Sequence, residues 1–458
     1  MKNNYGIGKF RPPLHLLTEW GTIPPMLNHD VTTLESGLTL IRVPMPAVQS
    51  VTVLALVNAG SRYEPTQWWG ISHFLEHMVF KGTERYADAH ALSSAVDAVG
   101  ARFNAFTSKE YTGYYVQAIS KHLRLGLDVV SDMLLTPRLL QSDIDREKGV
   151  IIEEINMYAD MPSSHIANLF EQMAYNMDTL GHDVIGTKET VSALTSEDFQ
   201  QYVQQWYGLK NVVLVLAGDE NVLKQDATVD LVKEMFSKGN AAKRGAEQAK
   251  NHLGATPLTA NQFHLEYKKT EQAHLVMGFP AFNRTDPRRY ALALLAVALG
   301  GGMSSRLFTE VREKRGLCYY VSADTDYYHD TGLFGAAAGV DPKRVDEALS
   351  VIMDEFLAVL TDKRAVTQEE LTKAKEFFAG KFVLDLEDSE NVAQYFGMKQ
   401  LLLGKVESPE ALMAKYAAVT LDQVHAVAAE IIQEKSLRAA LIGPFRERER
   451  FEQILHIK

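Results

Sequence analysis

The sequence predicts an α+β protein built from two homologous α/β repeats, each a mostly antiparallel sheet with helices packed on one face. Three observations carry this expectation. Short β-branched runs bounded by turn residues alternate with stretches of helical period. The pattern then recurs at a nearly constant offset, with Leu127 opposite Leu349, 222 residues on, and Gly218 opposite Gly443, 225 residues on. Between the copies, residues 238–258 are rich in Ala, Gly, Lys, Glu, Asn and Gln and poor in apolar side chains, which reads as a linker. The expected division is therefore 1–237, a linker at 238–258, and 259–458. At 458 residues the chain is about three times the ~150 residues typical of one domain, so more than one core is expected.

Taken from the N-terminus, Leu38–Val43 and Val51–Val57 read as strands from their β-branched content and length. From Gly70 to Phe80 the period changes, and Ile71, Phe74, Leu75 and Met78 recur at spacings of three and four, which predicts a helix. Ala91–Val99 is a second short helix closed by Gly100. Phe103–Thr107 and Tyr111–Ile119 alternate as paired strands do, and Leu123–Leu135 is an amphipathic helix that stops before Pro137. Ile144–Tyr158 reads as a long helix. Thr195–Tyr207 opens on Thr-Ser-Glu-Asp, a helix-start signature, and Asn211–Leu216 is a buried strand closed by Gly218. The same order of strand, helix, helix and strand returns in Val340–Leu357 and Val419–Pro444.

Composition narrows the function. Forty-six per cent of residues are hydrophobic and 23% charged, which suits a folded globular chain. Lys plus Arg is 47 against 58 Asp plus Glu, a net charge of −11, so no overall field draws the chain to nucleic acid or to an anionic membrane. No run reaches the ~18 apolar residues of a membrane span, and Met1–Trp20 lacks the apolar core of a signal peptide. Cys318, the only cysteine, has no partner for an internal disulfide, which predicts a reducing, cytoplasmic setting.

The strongest chemical signal is His73-Phe74-Leu75-Glu76-His77 within the first predicted helix. Positions 73 and 77 lie one turn apart on one face, so two imidazoles can converge on one ion. Glu76 sits beside them, where a carboxylate can take a proton from a metal-activated water without being a ligand. The order is the mirror of the H-E-x-x-H zincin pattern. A third ligand is required, and the helix around Arg146–Tyr158 offers Glu147, Glu153 and Glu154. Glu147 and Glu154 are two turns apart on one face, so one can ligate while the other supports. Two imidazoles and a carboxylate leave a fourth position for water, as catalytic zinc requires.

With these residues in place, the chain resembles the M16 (pitrilysin, or inverzincin) family of zinc metallopeptidases over nearly its whole length, from about Leu34 to Gly443. The motifs that carry the resemblance are Asn58–Glu64 (NAGSRYE), the H-x-x-E-H itself, Phe80–Thr83, Asn104–Ser108, and the spacing from His77 to Glu154. In the second half, Gly300–Phe308 and Arg312–Tyr319 resemble the family's substrate-binding segment. The resemblance implies LuxS/MPP-like metallohydrolase-type repeats, one Zn2+ per chain held by His73, His77 and Glu154, Glu147 as the accompanying acid, and Glu76 as general base. It further implies substrate contacts from Asn104, Ala105 and Phe106 on a strand beside the cleft and from Arg312 and Tyr319. Short two-repeat members, including the mitochondrial processing peptidase and bacterial relatives, pair as dimers. A homodimer is therefore expected in which Arg312 and Tyr319 serve the partner's zinc, enclosing unfolded or presequence-like peptides in a clamshell chamber. The alternative is a non-catalytic scaffold or peptide-binding subunit of such a complex, which a degenerate metal motif would signal.

Other features receive plain readings. The triple glycine at 300–302 lacks the frame of a phosphate loop and is read as a flexible turn near substrate. His90, His122, His165, His182 and His329 have no partner at ligand spacing and are assigned to surface or packing, as are Cys318, Trp68 and Trp69.

Overall fold

A computed structural model describes residues 27–175, 177–239 and 262–456. From residue 240 on, the linker expected at 238–258 lies outside the described residues.

Strands β1 (Asp30–Thr33), β2 (Thr39–Met45), β3 (Ser50–Val57), β4 (Arg102–Thr107), β5 (Thr112–Ile119) and β6 (Val212–Asp219) form one sheet in the order β1-β2-β6-β3-β5-β4. A second sheet holds β7 (Gln262–Tyr267), β8 (Ala273–Ala281), β9 (Cys318–Tyr327), β10 (Gly332–Val340) and β11 (Arg438–Gly443) in the order β7-β11-β8-β10-β9. Without β1, the two orders match strand for strand. In each sheet the last strand in sequence inserts beside an early one and runs parallel to it, β6 beside β2 and β11 beside β7, while all other pairs are antiparallel. The repeat of about 222–225 residues is thus a repeat of topology. Strand β6 runs on through Gly218 instead of ending there, because φ of +137° lets the glycine backbone approach the Ser50 carbonyl where a side chain would collide.

The helices that matter for the site and its frame are α1 (Ile71–Met78), α2 (Ala89–Asp97), α3 (Leu123–Leu135), α4 (Gln141–Asp160), α5 (Pro162–Ala174), α6 (Ser196–Trp206), α7 (Arg289–Gly300), α8 (Val345–Ala358), α9 (Gln368–Asp385), α10 (Ser389–Leu403) and α11 (Leu421–Ile431). Thr195 caps α6 with a reciprocal Thr195–Asp198 capping box, as its opening residues predict. In the first half, Val51, Val53, Ala55 and Val57 of β3 pack toward Phe74 and Leu75 of α1, Leu127 and Val130 of α3, and Phe199 and Tyr202 of α6. The second half repeats this with α7, α8 and α11 on one face of its sheet.

The opposite faces are covered by exchange. Val392, Ala393 and Phe396 of α10, from the second half, pack on Leu54, Leu56, Val213 and Val215 of the first sheet. Ile166 and Phe170 of α5, from the first half, pack on Leu333, Ala440 and Ile442 of the second sheet. Strand β3 is therefore buried on both faces, which is why it reads as an apolar run broken only at Thr52, whose hydroxyl meets Ser389 Oγ at 2.8 Å. A buried ion network joins the halves at the seam: the Arg62 guanidinium meets Glu110 and Asp330, each at 2.6 Å, and Glu110 also meets Arg284 at 2.7 Å.

Candidate metal centre

Helix α1 buries Ile71, Phe74, Leu75 and Met78 in the core, the stripe its sequence period predicts, which turns His73, Glu76 and His77 to the other side. Helix α4 buries Ile144, Glu147 and Ile151 and carries Glu154 one turn further along nearly the same line. The two helices pack together, and their polar residues meet. His73 Nε2 lies 3.7 Å from Glu154 Oε1, and His77 Nε2 lies 3.4 Å from Glu154 Oε2. The ligand atoms of His73, His77 and Glu154 all fall within 4.8 Å of one another, the one such group of three found among the described residues.

This arrangement fits a zinc ion. Bonds of about 2.0–2.2 Å in a tetrahedron separate neighbouring ligand atoms by about 3.4 Å, close to both nitrogen–oxygen distances above. The second ring nitrogen of His77 is already occupied, since Nδ1 lies 3.0 Å from Glu147 Oε1, which leaves Nε2 as its donor atom. Lys81 Nζ meets the other oxygen of Glu147 at 2.6 Å, so Glu147 is held from two sides. His73 Nδ1 is buried without a hydrogen-bond partner.

The charges respond to this crowding. Burial and the neighbouring His77 push the His73 imidazole down to about 4, so this ring offers a lone pair in preference to a proton. For His77 burial works in the same direction, but hydrogen bonds to Glu147 and Glu154 outweigh it and raise the ring to about 9. Glu154 is held below the usual carboxylate range by its hydrogen bond to His77. Burial raises the Glu76 carboxyl, offset in part by the Thr107 hydroxyl, which donates to Glu76 Oε2 at 2.6 Å.

Thr107 and Lys81 have no role of their own in the sequence reading, although both lie inside quoted motifs. Their partners are 31 and 66 residues away in the chain, beyond the reach of any local period.

The remaining sequence-predicted residues lie outside this group of three, those on β4 on a strand packed against α1 and those of the second half without contact to it. Asn104, Ala105 and Phe106 lie on β4, the outer strand of its sheet, paired only with β5. Ala105 is buried on the side of α1, whereas Phe106 turns to the opposite face and lies over Gly113, where a β-carbon would meet its ring. Arg312 lies on a π-helical turn, Phe308–Glu313, and its guanidinium stands 4.7 Å over the Phe308 ring and 5.6 Å over the Tyr319 ring. Tyr319 is 73% exposed. Among the described residues, no hydrogen bond, ion pair or ring contact joins Arg312 or Tyr319 to His73, His77 or Glu154.

Two sheet-and-helix repeats make up the chain, with a His-His-Glu cluster on the first and the half-buried Arg312 beside the exposed Tyr319 on the second. The comparisons agree: residues 43–188 match the insulinase family (peptidase family M16), and residues 193–378 match the peptidase M16 inactive domain. The chain belongs to peptidase family M16. It is 39% identical over 420 residues to an uncharacterized zinc protease of Streptomyces coelicolor, covering 91% of this chain and 90% of the relative. To the uncharacterized zinc protease YmxG of Bacillus subtilis it is 35% identical over 416 residues, covering 90% and 97%. Among solved structures, a protease from Helicobacter pylori superposes with a TM-score of 0.81 at 22% identity, covering 92% of this chain and all of that one. A peptidase M16 inactive domain from Pseudomonas fluorescens also gives 0.81, at 19% identity over 92% and 98%. These two likenesses bear on the fold. No helix among the described residues is long and apolar enough to cross a membrane.

Proposed function

We propose that this chain is a zinc-dependent endopeptidase that hydrolyses peptide bonds in unfolded or presequence-like peptides. The observation that carries this reading is the convergence of His73 Nε2, His77 Nε2 and the Glu154 carboxylate, with Glu76 one residue from His77 and not part of the group. The zinc protease names of the Streptomyces and Bacillus relatives support the same metal and the same reaction class.

In this reading His73, His77 and Glu154 would hold one Zn2+, which would supply Lewis acidity toward a peptide carbonyl and the attacking water. Glu76 takes the proton of that water and returns it to the leaving amine, and the Thr107 hydroxyl on Oε2 keeps the carboxylate turned to the cleft. Glu147 fixes the ring of His77. Strand β4, with Asn104 to Phe106, offers a free edge to which an extended substrate adds by main-chain hydrogen bonds. Residues 1–237 form the metal-bearing half and 259–458 the substrate-binding half.

The exposure of Tyr319, and the lack of contact between the Arg312–Tyr319 pair and the metal group, support a homodimeric chamber. There each chain lends Arg312 and Tyr319 to its partner's site, to bind the carbonyl oxygen as charge develops. The intact H-x-x-E-H weighs against a purely scaffolding subunit.

The test is metal content together with cleavage of an unstructured peptide. Wild type is expected to hold about one zinc per chain and to cut. Glu76→Gln is expected to keep the zinc and lose cleavage by about 10²–10⁴-fold. Retained cleavage in that variant would remove Glu76 as the base. Absence of zinc from wild type would remove the metallopeptidase reading.

A further inference from the structure

Helix α1 begins on a carboxylate that lies outside the metal group. The N–H of Gly70, in the left-handed region at φ +95°, donates to Glu64 Oε2 at 2.7 Å, and the N–H of Ser72 donates to Glu64 Oε1 at 2.8 Å. A helix start leaves its first N–H groups without partners, and one buried carboxylate here takes two of them. Its charge also lies at the positive end of the helix dipole.

Glu64 is itself held firmly. It follows the turn Ser61–Tyr63, whose Ser61 and Arg62 N–H groups donate to the Ser108 and Lys109 carbonyls, and Arg62 is locked by Glu110 and Asp330. His182 faces it, with Nε2 3.7 Å from Glu64 Oε2 and its ring stacked on Trp69 at 4.7 Å. At Gly70 a side chain would stand 2.5 Å from the Ile185 carbonyl, so the loop at 185–186 packs directly on the helix start. Thr190 Oγ1 donates to the Trp69 carbonyl at 2.7 Å.

The two histidines depend on this seat unequally. His77 has Glu147 to orient its ring, whereas His73 Nδ1 has no partner, so the aim of His73 follows from where the backbone of α1 sits. Ser72, which Glu64 grips, is the residue before it. The helix is only eight residues long, too short to absorb a shift at its start before His73.

We propose that Glu64 is a positioning residue of the metal centre, fixing the first turn of α1 and thereby the approach of His73 to Glu154. The proposal rests on the reading of His73, His77 and Glu154 as zinc ligands. It is tested on the full chain, stripped of metal, by titrating Zn2+ against a chromophoric chelator and recording the visible spectrum of the Co2+ form. Glu64→Gln keeps the shape but turns an amide N–H toward one of the two donors. It is expected to weaken zinc binding by about tenfold or more, to alter the Co2+ spectrum, and to lower kcat with little change in KM. Leu349→Ala, a variant in the separate core of the second half, serves as the control for lost stability. Wild-type zinc affinity and an unchanged Co2+ spectrum in Glu64→Gln would overturn the proposal. So would a loss of affinity that Leu349→Ala reproduces in full. If wild type itself binds no zinc, the metal-centre reading fails first, which is a separate and visible outcome.

Discussion

His77 Nδ1 and Glu147 Oε1 lie 3.0 Å apart, and Lys81 Nζ holds the second oxygen of the same carboxylate at 2.6 Å. A carboxylate behind a ligating imidazole fixes the tautomer and direction of the ring and raises its basicity. Glu147→Ala is therefore expected to weaken zinc binding by about 10–100-fold without abolishing it, whereas loss of His73, His77 or Glu154 removes the site. Chelator competition on the metal-free protein measures both. Equal affinity in wild type and Glu147→Ala would remove Glu147 from the centre.

If Arg312 and Tyr319 act on the partner's site, two defective chains can complement. A chain with Glu76→Gln and a chain with Tyr319→Phe, each weak alone, are expected to recover on mixing up to about a quarter of wild-type activity per total site, the share assembled from two intact contributions in a random exchange. Peptide cleavage after mixing measures it. Absence of recovery, with subunit exchange shown independently, would place the working tyrosine in the same chain.

Phe396 belongs to the second half by sequence and to the first half by packing, fully buried against Ile41, Leu54, Leu56 and Val215. Phe396→Ala is expected to cost about 3–5 kcal/mol in unfolding free energy, the range for a buried aromatic lost from a core. Denaturant unfolding followed by circular dichroism measures it. A cost under 1 kcal/mol would show that the exchanged helix contributes little.

Asp326 lines a cavity of about 360 Å³ at the seam between the halves. Its side chain is exposed within the cavity, and the protein packed around that cavity, with Glu171 and Asp324 nearby, pushes its carboxyl up to about 6. The unfolded chain titrates such a group near 3.9, so the folded form binds the proton more tightly. The linked cost is absent below about pH 4, grows between pH 4 and 6, and is complete above that. Asp326→Asn is thus expected to melt about one or two degrees above wild type at pH 7.5, with the difference closing by pH 4. A difference of constant size across that range would contradict the assignment.

The sheet-and-helix pattern was legible because each segment carries its own period. Ile71, Phe74, Leu75 and Met78 announce α1 and, by elimination, the face on which His73, Glu76 and His77 stand. On α4 the spacing alone left Glu147, Glu153 and Glu154 open. The structure separates them through the buried stripe of Ile144, Glu147 and Ile151, which sets Glu147 against His77 Nδ1 and brings Glu154 to both Nε2 atoms.

Local periodicity and a repeat offset are properties of neighbouring residues, so most strands and helices of the first half, the duplication and the H-x-x-E-H helix could be read along the chain. Three arrangements could not. Helices α5 and α10 cross over to cover each other's sheets, Thr107 reaches Glu76, and Glu64 seats the start of α1. Each joins groups that share no period. Burial decides them, because a sheet face or a helix end removed from water must find its partner in whatever the folded chain brings beside it.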